Sequence, residues 1–150
     1  MLHFEGDRDF SQSPSELWPK LADIQFLAGC VPDSESVNFP DAESAHIVLR
    51  PGLSFVRGTL DLTMKLTERV ENTSAKLLLT TKGIGTTSTV EASYALAPIE
   101  TGTRLHWTAD VTHLGGLLKA VPQGLLKAAA QKVITDAWKS LETKLQSAKF

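Results

Sequence analysis

The chain has 150 residues, 21% of them charged and 42% apolar, and a formal net charge of −2. That is one domain, large enough to bury about 68–70% of its unfolded surface and stand without disulfides or metals. The charges are scattered, with no basic stripe for nucleic acid and no charged block for a tail. The single cysteine excludes an internal disulfide. Cys30 lies in the apolar run Phe26-Leu27-Ala28-Gly29-Cys30-Val31, where it reads as a small buried hydrophobe. Met1 to Glu5 lack the basic and apolar regions of a secretory leader, and no run nears the roughly 18 apolar residues of a membrane span. A cytoplasmic location is the default expectation.

Leu2, Phe4, Gly6, Arg8 and Phe10 share one parity against His3, Glu5, Asp7 and Asp9, which predicts a half-buried strand. Ser13-Pro14-Ser15-Glu16 then combines an N-cap, a first-turn proline and a glutamate three residues on, the signature of a helix start. Leu17, Trp18 and Leu21 form that helix's buried side, and Pro19 is placed in its first turn. Asp23 caps a second short helix through Leu27, with Gly29 as the stop and Pro32-Asp33 turning the chain out.

Strands follow. Ser36 to Phe39 is a weak candidate; Ala45 to Leu49 is stronger and is closed by Pro51-Gly52. Phe55 to Val70 carries Leu60, Leu62, Met64 and Leu66 on one face. Lys76 to Thr81, Thr87 to Leu96 and Arg104 to Thr112 complete the set, separated by turns at Gly83-Ile84-Gly85 and Pro98 to Gly102. Tyr94 and Leu96 share an apolar parity, as do Leu105 and Trp107. One apolar and one polar face per strand predicts an antiparallel sheet wetted on one side. Leu114 to Ala120 reads as a helical turn. Pro122 to Ala148 is a helix of about 40 Å, with a stripe of Leu126, Ala130, Val133, Ala137, Leu141 and Leu145 widened by Ile134 and Trp138. It is the one element long enough to cover the sheet's apolar face. A straight helix across a curved sheet leaves an apolar hollow beneath it.

The chemistry-bearing residues are few. Gly83-Ile84-Gly85 lacks the following helix that a phosphate loop needs. The histidines at 3, 46, 106 and 113 show no metal-ligand spacing, so no metal and no cofactor is expected. Strict alternation turns Arg8 and Glu68 toward apolar faces, where a charge needs a partner, unless a bulge returns either one to solvent. Tyr94 offers a hydroxyl from an otherwise apolar wall.

Phe10-Ser11-Gln12-Ser13-Pro14-Ser15-Glu16-Leu17-Trp18, then Leu21-Ala22-Asp23, then Leu27-Ala28-Gly29-Cys30-Val31-Pro32, resembles the opening of the carbon monoxide dehydrogenase CoxG family. That family lies in the START-like (SRPBCC) superfamily, which also holds polyketide cyclases and lipid-transfer domains. The resemblance implies an α+β helix-grip fold over 1–150: a curved seven-stranded antiparallel sheet wrapped around the C-terminal helix, with two short helices after strand 1. It also implies an apolar cavity and a molybdenum carbon monoxide dehydrogenase as partner.

The expected function is non-enzymatic carriage of a hydrophobic small molecule, a lipid or isoprenoid quinone. Leu60, Leu62, Met64, Tyr94, Leu96, Leu105, Trp107, Val133 and Ala137 are its expected wall, with Arg8 and Glu68 as polar cavity groups. The competing expectation is a cyclase or dehydratase using Arg8, Glu68 and Tyr94 as acid–base groups. A third is an accessory protein that works through its surface.

Overall fold

The computed structural model describes residues 2–31, 33–50 and 58–147. The element order is β1 (His3–Phe10), α1 (Pro14–Leu21), α2 (Ile24–Gly29), β2 (Ser34–Asp41), β3 (Ser44–Leu49), β4 (Leu60–Val70), β5 (Ser74–Gly83), β6 (Thr86–Ile99) and β7 (Gly102–Gly116). A 3-10 turn (Leu117–Ala120) and α3 (Gln123–Ser147) follow. Pro32, the Pro51-Gly52 turn, residues 55–57 of the expected fourth strand and Ala148 lie outside the described residues.

The strands form one curved antiparallel sheet in the order β1-β7-β6-β5-β4-β3-β2. Every neighbour except the β1–β7 pair is consecutive in sequence, so short turns build most of the ladder. β1 closes the far edge by pairing with β7, from His3 opposite Asp110 to Phe10 opposite Thr103. Gly102 makes the last tight turn possible. Its φ is +145°, and a Cβ there would sit 2.0 Å from the Phe10 carbonyl oxygen.

Local chemistry explains the short helices. The Glu16 N–H donates to Ser13 Oγ and the Ser13 N–H to Glu16 Oε1, a complete capping box. Pro19 falls in the second turn, not the first. Asp23 Oδ1 accepts from the Gln25 N–H to start α2. Leu17, Leu21, Ile24 and Ala28 are all buried, so the two helices close one end of the sheet. Cys30 is buried with them, and desolvation pushes its thiol up to about 11.

Several bounds differ from the sequence pattern. β2 extends well beyond Ser36–Phe39, although every residue of it is exposed, because pairing with β3 stabilises an edge strand that has little apolar content of its own. β6 runs through Pro98 to Ile99, so the turn is only Glu100-Thr101. Leu114 to Gly116 continue β7 opposite Ser88 to Thr86 and are not helical. Gly83-Ile84-Gly85 is a hairpin tip, with Ile84 at φ 55° and Gly85 at φ 70°, as a two-residue primed turn requires.

Candidate functional site

The sheet's inner face is read from its register. Met64 lies opposite Leu79, Leu79 opposite Val90, and Val90 opposite Val111. One layer further along, Leu66, Leu77, Ala92 and Ala109 line up, and then Ala75, Tyr94, Trp107 and Gly6. α3 is about 37 Å long and is attached to this face mainly through its second half. Leu141 and Leu145 join the core cluster with Leu66, Ala75, Tyr94, Leu96 and Leu105. Trp138 lies with its ring centroid 6.0 Å from Trp107 and 6.5 Å from Phe10.

The first half of α3 is different. No residue between Gln123 and Ser140 is fully buried, and Val133 is 45% exposed. Beneath that half, Leu77, Leu79, Val90, Ala92 and Ala109 are only half-buried, although all face inward. Phe4 and Val111, on the β1–β7 side, are the buried exceptions. Ala92 faces Ala109 directly across the strands, and Ala130 and Ala137 on the helix are half-buried. Small side chains below and above leave width that larger ones would fill. Exposed Ile84, Leu117 and Leu125 stand at the same end, where the 3-10 turn touches the β5–β6 hairpin through the Leu117 N–H and the Gly85 carbonyl.

The expected wall therefore divides. Leu62, Met64, Tyr94, Leu96 and Leu105 are at most 8% exposed and belong to the packed core. Leu60, Trp107 and Ala137 are half-buried. Val133 is a correction: it lies at the edge of the helical stripe, where the helix stands off from the sheet, and it is not enclosed. The half-buried strip of Leu77, Leu79, Val90, Ala92 and Ala109 was missed. Its apolar alternation was visible, but the cross-strand register that gathers it was not.

Glu68 is a second correction. The register passes from Leu66 opposite Leu77 to Glu68 opposite Lys76, so Thr67 is an extra residue. That bulge turns Glu68 to the outer face, where its carboxylate pairs with Lys76 at 3.4 Å. Arg8 does face inward and is half-buried. Its guanidinium donates to Glu142 of α3 at 3.0 Å and lies 5.4 Å from the Trp138 ring centroid. Arg8 thus ties β1 to the helix. Glu68 and Tyr94 occupy opposite faces of the sheet, so the acid–base set expected of a cyclase does not assemble.

The inner face holds two polar atoms of note. Tyr94 Oη and Trp107 Nε1 are buried and have no hydrogen-bond partner among the described residues. Burial raises the Tyr94 hydroxyl above its usual range, slightly offset by Arg69, so it stays a protonated donor. The Trp107 indole lies over Gly6, where a Cβ would meet the ring, Nε1 included, at 3.2 Å.

The outer face is wet and charged. Arg104 clasps Asp9 through two nitrogens, at 2.9 and 3.1 Å, and His106 meets Asp7 at 2.9 Å. His3 bridges Asp110 and Glu5, and these hydrogen bonds raise its pKa. An open trough of about 440 Å³ on this face is lined by Thr67, Glu68, Lys76, Glu91, Ser93 and Asp110, among others. It is polar and is not the apolar hollow expected under the helix. Among the described residues no cluster of His, Cys, Asp or Glu could hold a metal, and no helix is long and apolar enough to cross a membrane.

A seven-stranded antiparallel sheet, closed at one end by two short helices and crossed by a long C-terminal helix, is the START-like helix-grip architecture. Solved structures agree. A conserved protein from Geobacillus kaustophilus is 24% identical, with a TM-score of 0.86 and coverage of 97% of this chain and 96% of its own. A START superfamily protein from Mycobacterium smegmatis is 12% identical, with a TM-score of 0.69 and 97% of each chain covered. A protein from Bacillus thuringiensis is also 12% identical, with a TM-score of 0.67 and coverage of 95% and 98%. At these identities the likeness is one of fold. A search of curated proteins finds no match. The family model for the carbon monoxide dehydrogenase component CoxG matches residues 6–146, and the chain belongs to that family.

Proposed function

We propose that this protein is a non-enzymatic carrier that holds a hydrophobic small molecule, a lipid or isoprenoid quinone, between the sheet and the first half of α3. One observation carries the proposal: burial along the helix–sheet interface is complete at Leu141 and Leu145 and stays partial from Leu126 to Trp138. An apolar ligand in that gap would remove inward-facing Leu77, Leu79 and Val90 from water. Each Å² of apolar surface so covered is worth about 25 cal/mol before the costs of association. A few polar groups then suffice to set orientation.

The family name suggests the partner class. The enzyme that this carrier is proposed to serve is a molybdenum carbon monoxide dehydrogenase, in the cytoplasm. Organic extraction of the purified protein, followed by mass spectrometry, is the test. A stoichiometric lipophile is expected. Its absence, together with failure of the emptied protein to take up quinones or fatty acids, would overturn the proposal.

A further inference from the structure

We infer that the ligand is an uncharged lipophile held by one hydrogen-bond acceptor, a carbonyl oxygen or its equivalent, which the Tyr94 hydroxyl and the Trp107 indole N–H bind at the inner end of the hollow. The inference rests on the carrier reading above and adds the chemistry of the occupant.

Tyr94 and Trp107 are direct cross-strand partners on the inner face. Side chains so placed lie about 5 Å apart at Cβ. Tyr94 is 7% exposed, and neither polar atom has a partner among the described residues. Burying a polar group without a hydrogen bond is unfavourable, so two such groups side by side in an otherwise apolar layer call for a complement. An indole nitrogen can only donate, and a protonated phenol donates readily. The complement common to both is an acceptor.

The approach is apolar and narrow. On the same two strands the next inward residues are Ala92 and Ala109, half-buried and directly paired. A molecule entering past them meets Tyr94 and Trp107 next. Gly6 leaves the indole edge clear, since any larger residue there would press on Nε1 at 3.2 Å.

Charge decides between a neutral acceptor and an anion. The arginines that approach this pair are already neutralised: Arg8 by Glu142 at 3.0 Å and Arg69 by Glu43 at 2.8 Å. A carboxylate or phosphate would be stripped of water and would have to break one of these pairs to gain a counter-charge. A ketone, ester or amide oxygen loses far less hydration and matches two neutral donors.

Three probes of similar shape test this by titration calorimetry: 2-acetylnaphthalene, 2-isopropylnaphthalene and 2-naphthoate. The ketone is expected to bind about tenfold more tightly than the hydrocarbon, the value of one or two net hydrogen bonds. Tyr94→Phe and Trp107→Phe should each cut that ratio several-fold and leave hydrocarbon affinity in place. Tyr94→Phe should also raise the melting temperature of the ligand-free protein, because it removes an unpaired buried hydroxyl. Equal binding of ketone and hydrocarbon would overturn the anchor and leave the carrier reading standing. Tightest binding of naphthoate would overturn the neutral ligand. No binding by any probe would overturn both.

Discussion

The two halves of α3 cover the same sheet and do different work. The second half is riveted down: Leu141 and Leu145 are buried, Trp138 meets Trp107 and Phe10, and Glu142 meets Arg8. The first half lies over small and half-exposed side chains, and its own residues stay partly in solvent. Apolar content alone does not explain the contrast, because Leu125, Leu126, Val133 and Ile134 are as apolar as the leucines further on. What differs is the far side. Bulky Leu66, Leu96 and Leu105, with α1 and α2, meet the second half, whereas the Ala92–Ala109 pair lies under the first. Stability is thus concentrated at one end of the interface and room at the other.

The largest test of this contrast is truncation at the two ends. Leu141→Ala should cost about 2–5 kcal/mol in urea unfolding, as buried leucines do, whereas Val133→Ala should stay within about 0.5 kcal/mol. Equal losses would erase the distinction. Filling the gap is a sharper test. In a packed interior Ala92→Leu would cost about 1–3 kcal/mol by overpacking. Here stability should hardly change, while affinity for 2-isopropylnaphthalene should fall about tenfold or more, or about 1.4 kcal/mol.

The tie between β1 and the helix is weaker. Arg8→Met keeps the apolar stem but removes the ion pair with Glu142. Both groups are about one-third exposed, so the loss should be about 1 kcal/mol or less and should shrink in high salt. The smallest effect belongs to the outer face. Hydrogen bonds to Asp110 and then Glu5 raise the folded pKa of His3 above its unfolded value. The stabilisation is therefore complete below the unfolded pKa and is lost as pH rises through the folded one. A melting-temperature profile should show a slight fall above about pH 6.5 that His3→Gln lacks. Asp9, held low by Arg104, acts with the opposite sign, and its contribution is lost in acid.

Much of the fold was legible in the chain. The capping box at Ser13 and Glu16, the alternation of Leu60 to Leu66 and the long stripe from Leu126 to Leu145 each set an element by local rules. Edge strand β2 and the continuation of β7 through Leu114 to Gly116 were less legible, because pairing with a neighbour, not their own composition, holds them extended. Within the candidate site, Tyr94 and Trp107 were legible as inward aromatics. Glu68 was misplaced because one extra residue, Thr67, reverses every side chain after it. Val133 was misplaced because a helical stripe shows which side faces the sheet but not how closely the sheet approaches.

Sequence by itself determined the element types, the apolar face of each strand and the presence of one long covering helix, since these follow from periodicity and capping between near neighbours. Tertiary structure alone decided which end of the interface closes, that Tyr94 and Trp107 stand side by side without partners among the described residues, and that Arg8 finds Glu142 134 residues away. Those outcomes depend on register, sheet curvature and side-chain volumes meeting from distant segments.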